Sequence, residues 1–141
     1  MEISDVKRRV VETIERSRRR AGERRARADE AGREYDRFLA DVAIPVFQQV
    51  ATVLRAQKYA FTVFTPSGSV RLTDGRSSDD FIEVVLDGSG DEPRVTGHTK
   101  HTRGRRILET ETVIGSGRPG DLGEEDVLAY VLGELERFVE R

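Results

Sequence analysis

Two histidines three positions apart, His98 and His101, lie in the stretch HTKHTRGRR together with Lys100, Arg103, Arg105 and Arg106. Residues of these types can ligate a metal, grip phosphates, or decorate the wet end of a hairpin. Side chains alternate faces along a strand, so residues three apart point opposite ways. The two imidazoles therefore cannot share one ion, and the chain has no cysteine to complete a zinc site. Glu109 and Glu111 follow at a spacing that would place them across a hairpin from the histidine strand. There they read as cross-strand charge and hydrogen-bond partners rather than as an acid/base pair. The four cations make a basic tip, and a β-ribbon can enter a major groove. Binders of single strands add stacking aromatics to such charge, yet no Phe, Tyr or Trp falls between Phe81 and Tyr130.

Other chemistry is thin. DGSGD and GSGRPG contain Gly-x-Gly but continue neither as a dinucleotide fingerprint nor as a P-loop. Asp74, Asp79 and Asp80 cluster near one loop without EF-hand spacing, and aspartate is common in turns. Ser67, Ser69, Ser77 and Ser78 form no nucleophile elbow, and neither histidine offers them an obvious general base. The sequence thus assigns no catalytic residue, no cofactor and no metal ligand. The absence of cysteine excludes disulfides and thiolate nucleophiles and is compatible with a reducing cytoplasm.

A second set of candidates lies near the N-terminus. Residues 16–27 carry seven arginines against one acid, Glu23, whereas residues 121–141 carry seven acids against two arginines. The formal net charge is only −2, so the separation of charge says more than its sum. Arginine outnumbers lysine 21 to 3, which reads first as genome composition.

The basic run must be carried by a helix. Apolar or small residues recur every seven positions: Ile3, Val10, Ser17, Ala31 and Phe38 in one series, interrupted by Arg24, and Ile14, Ala21, Ala28, Tyr35 and Val42 in the other. Together they draw a narrow seam like that of a coiled coil. Arg16, Arg20, Arg24 and Arg27 flank it on one side, Arg18 and Arg25 on the other, with Glu12, Glu15, Glu23 and Glu30 roughly opposite. Alanine and arginine in the middle of the seam bury little area, so this helix needs a partner surface. Flanking arginines repel a parallel copy and favour an acidic, partly apolar surface or a shifted antiparallel copy.

The remaining elements complete an α+β domain. Ser4 or Asp5 is the expected cap of the first helix. Pro45 predicts a kink or break near residues 43–45, with a second helix continuing to Lys58. After Lys58 the period changes to two, predicting strands in YAFTVFT, SVRLTD, DFIEVVLD, RVTGHTKHT and RRILETETVI. Gly104 supplies the turn between the last two. Asp121, with Glu124 three residues on, is the expected cap of an amphipathic terminal helix running through Val127, Leu128, Val131, Leu132, Leu135, Phe138 and Val139.

The expected architecture is a helical arm over residues 1–37, coiled-coil-like, joined to a single α+β domain over residues 38–141. In that domain a five-stranded antiparallel meander is covered by two helices. No apolar run looks like a membrane span and the N-terminus lacks a secretory h-region, so no membrane partner and a cytoplasmic location are expected. The leading functional expectation is a non-catalytic, self-associating interaction module. Its contact residues would be Val10, Ile14, Arg18, Arg20, Ala21, Arg25, Ala28 and Tyr35, meeting a second copy or an acidic protein. One alternative is nucleic-acid binding through Arg16, Arg24 and Arg27 with Lys100, Arg103, Arg105 and Arg106. Another is a ligand or enzyme pocket between sheet and helices.

Overall fold

The computed structural model describes residues 1–77 and 79–140. A continuous helical column of 54 residues spans Ile3–Ala56, about 80 Å at 1.5 Å per residue. It comprises α1 (Ile3–Phe38), a π-helical turn (Leu39–Ala43) and α2 (Ile44–Ala56). The disturbance expected at Pro45 takes the form of this widened turn. In a regular helix the Pro45 ring would strike the carbonyl of Asp41. Here the chain admits one extra residue, and the Ile44 N–H reaches back five positions to the Leu39 carbonyl. The column stays whole because Tyr35 and Phe38 before the turn and Phe47 and Val50 after it are buried in one core. Ser4 and Asp5 do not cap α1. Glu2 holds the capping position with no side-chain bond, and Asp5 lies inside the first turn, paired with Arg8 at 3.4 Å.

Five strands follow in sequence order: β1 (Phe61–Phe64), β2 (Ser69–Asp74), β3 (Phe81–Asp87), β4 (Arg94–Arg103) and β5 (Arg106–Val113). All neighbours are antiparallel, a plain meander. One sheet face presents Phe61, Val70, Leu72, Ile82, Val84 and Val95 to the core. Opposite them pack Phe47, Ala51 and Leu54 of α2, with Val127, Val131 and Phe138 of α3 (Glu124–Val139). Gly97 lets α3 sit down on the sheet, because a Cβ there would collide with the Tyr130 ring. The Tyr130 hydroxyl bonds that of Thr99 on the same strand at 2.8 Å.

The start of α3 differs from expectation. Asp121 belongs to a short 3₁₀ turn, Pro119–Asp121. Leu122 is buried and extended, so the chain cannot turn into a helix until Gly123. The reciprocal half of a capping box remains: the Gly123 N–H donates to Asp126 Oδ2 at 2.9 Å.

Candidate association surface

Residues 1–20 of the column are all exposed. Contact with the body begins near Arg27 and Ala31, which share a shallow hollow of about 440 Å³ with Glu92, Pro93 and the Pro119–Asp121 turn. Before that point the arm presents Ile3, Val6, Val10, Val11 and Ile14 to solvent, with Val10 at 51% and Ile14 at 43% exposure. Val6, Val10 and Ile14 are spaced by four and stand on one ridge. Sequence reasoning missed Val6 because the seven-residue beat passes through Lys7 instead. The four-residue spacing to Val10 was the available signal.

The expected contact residues divide. Val10, Ile14, Arg18, Arg20, Arg25 and Ala28 are exposed, and Ala21 is half-buried. Tyr35 is the exception. At 3% exposure it belongs to the protein's own core. Its hydroxyl donates to the Gly68 carbonyl at 2.7 Å and lies 3.4 Å from that of Val84. Its ring packs 6.2 Å from that of Phe38. Burial, reinforced by the Glu83 carboxylate and Asp36, pushes its phenol pKa up. The heptad seam therefore runs on, without a change of face, from the exposed arm into the helix face that meets the sheet.

The arm's charges are mostly unmatched. Glu30 pairs with Arg33 at 2.7 Å, and that guanidinium holds the Glu30 carboxyl below its usual range. Arg16 donates to the Thr13 hydroxyl at 3.3 Å. Among the described residues, Arg18, Arg20, Arg24, Arg25 and Arg27 have no carboxylate within 4.0 Å.

The basic hairpin lies elsewhere in the fold. Arg103 pairs with Arg106 across Gly104, at φ 64°, and Arg105. Arg103, Arg105 and Arg106 are exposed, whereas Lys100 is half-buried and opposes Glu109 in register. His98 opposes Glu111 and sets its ring edge-to-face with Phe81 at 5.4 Å. His101 lies on the core side, 4.7 Å from the Phe138 ring, with Nδ1 3.7 Å from Asp80 Oδ2. On the outer sheet face Glu83, nearly buried, accepts from Arg71 at 2.8 Å, and the same guanidinium lies 3.9 Å from the Phe81 ring centre.

The aspartates of the nearby loop are occupied internally. Asp74 accepts from the Arg76 backbone and guanidinium, at 3.0 and 3.1 Å. Asp80 accepts the Thr102 N–H at 3.0 Å. No group of three metal-ligating side chains occurs among the described residues. Ser78 lies outside the described residues. The space between sheet and helices is filled by Phe47, Phe61, Phe138, Leu72 and Ile82.

The column contains an 18-residue window with a mean hydropathy of 1.3, 44% buried. The charge density before Arg37 confines that window to the α1–α2 junction, where Phe38, Leu39 and Phe47 pack into the core.

These features define an α+β meander domain carrying a basic, apolar-ridged helical arm. No family model, no curated protein and no solved structure matches the chain.

Proposed function

We propose that this protein is a non-catalytic interaction module that self-associates through its N-terminal helix. One observation carries the reading: the arm sets Val6, Val10 and Ile14 in a row that nothing among the described residues covers. Covering such side chains fully is worth roughly 1.5–3 kcal/mol each. A helix this polar gains little stability from propensity alone, so most of it must come from packing. The unpaired guanidinia of Arg18, Arg20 and Arg25 favour a partner surface that is acidic as well as apolar. With no cysteine to protect or oxidise, the chain suits a reducing cytoplasm, where the proposal places it.

Nucleic-acid binding is the second reading, favoured by the same unpaired arginines. Glu12, Glu15 and Glu23 on the arm and the Lys100–Glu109 pairing on the hairpin count against a continuous phosphate-binding track.

Light scattering tests the first reading. The wild-type chain is expected at a multiple of 15.9 kDa, and Val10→Glu with Ile14→Glu at 15.9 kDa. Both substituted side chains are exposed, so folding should survive. A wild-type mass of one copy at micromolar concentration would end the proposal.

A further inference from the structure

α2 and α3 do not close on each other along their whole length. Between them runs an apolar groove of about 360 Å³, floored by Val46, Val50 and Leu128 and walled by Val53, Leu132 and Leu135. Val53 is 61% exposed and Leu132 50%. Glu124 and Glu125 stand at its rim, in the first turn of a helix that holds five acids and one arginine.

We propose that this groove receives the N-terminal arm of a second copy of the chain. The inference rests on the self-association reading and names its receiving surface. Three observations on this molecule select the occupant. The arm offers anchors at the spacing used when a helix lies in an apolar groove, Val6, Val10 and Ile14. Its charge is complementary: Lys7, Arg9 and Arg18 flank those anchors, while the groove's rim is acidic. The sizes also agree, since residues 3–14 span about 17 Å and the 16 residues of α3 about 24 Å.

The chain's own arm cannot fill the site. Arm and groove wall belong to one continuous helix, and Val10 lies about 55 Å along it from Val46. Only another molecule can bring an arm there. Reciprocal seating of two arms in two grooves would use the same surfaces twice, as two-fold dimers do.

The absence of native cysteine makes a direct test available. One preparation carries Val10→Cys and a second carries Leu132→Cys; the two are mixed under mild oxidation. The expected product is the mixed disulfide, formed at least about tenfold faster than between the Val10→Cys chain and a chain carrying Ser89→Cys at an exposed loop, because seating raises the local thiol concentration. Disulfides joining two Val10→Cys chains, with Leu132→Cys left reduced, would overturn the groove assignment while leaving self-association standing. The paired substitution Val53→Asp with Leu132→Asp, both at exposed positions, is expected to lower the scattering mass to one copy. An unchanged mass there, beside a lowered one for the arm variant, likewise removes the groove. A wild-type chain already at one copy removes both readings together.

Discussion

Tyr35 shows how one side chain can belong to a heptad pattern and still serve its own core. Its hydroxyl satisfies the Gly68 carbonyl where the helix passes the start of β2. Tyr35→Phe should therefore cost about 1 kcal/mol of stability, read as a lower urea midpoint with an unchanged slope. A pH effect follows as well. Burial raises the phenol pKa values of both Tyr35 and Tyr130. The unfolded chain ionises them near pH 10. The folded state thus holds these protons more tightly, and the stability they contribute is full below about pH 10 and is lost as pH rises beyond it. Urea midpoints between pH 8 and pH 11 should fall in the wild-type chain and fall less steeply in Tyr35→Phe. Gly97 presents the opposite case, a position defined by what it lacks. Gly97→Ala must displace the Tyr130 ring and should cost about 2–3 kcal/mol. In a Tyr130→Ala background the same change should cost little, a coupling that a double-mutant cycle measures.

Among the elements, those specified by local periodicity were legible in the sequence and those set by distant packing were not. The period-two runs give all five strands, their order and their hairpins: β1, β2 and β3 alternate around a core face of Phe, Val, Leu and Ile, whereas β4 adds only Val95 to the core cluster and the largely exposed β5 is legible from its alternation and the Gly104 turn alone. The cap of α3 was misplaced by two residues, because the burial of Leu122 depends on the rest of the fold. Tyr35 was assigned to the arm's contact face because a seven-residue beat does not reveal whether a sheet or another helix covers it. The candidate surface was half legible: Val10, Ile14 and the arginines stand on it, but the α2–α3 groove needs two elements 70 residues apart in sequence to be seen together. The π turn shows how local and distant constraints combine. Pro45 forbids a regular helix there, and the core fixes the phase of Phe38 and Phe47 on either side. Deleting the exposed Ala40 would restore α-helical count without rotating those faces, yet would push the Pro45 ring into a carbonyl, costing about 3 kcal/mol. Combined with Pro45→Ala, the deletion should recover most of that loss. Thermal unfolding of the two single variants and the double variant checks this, and additive losses would show that the turn has another cause.

At the scale of the whole molecule, a nearly neutral chain separates its charge, with a basic arm at one end of an 80 Å column and an acidic helix on the body. If the chain self-associates as proposed, such a distribution would steer two copies into a head-to-body encounter and repel a parallel encounter of two arms. The ionic and apolar parts of the resulting contact respond differently to salt. Exposed ion pairs are worth about 0.2–1 kcal/mol each, and they are screened within about 10 Å at 0.1 M salt. The Val6–Val10–Ile14 ridge is not weakened by screening. Raising salt from 50 to 500 mM should therefore loosen self-association by about tenfold, the loss of two or three surface pairs of middling strength. A contact made by the same arginines with phosphates behaves otherwise. It releases a counterion at each site and loses about a thousandfold or more over a smaller salt range. Sedimentation of the wild-type chain across that salt series, beside a titration with duplex DNA, separates the two. A shallow slope for self-association with no duplex binding supports the arm as a protein contact. A steep slope seen only with DNA would instead assign the arginines to a nucleic-acid backbone.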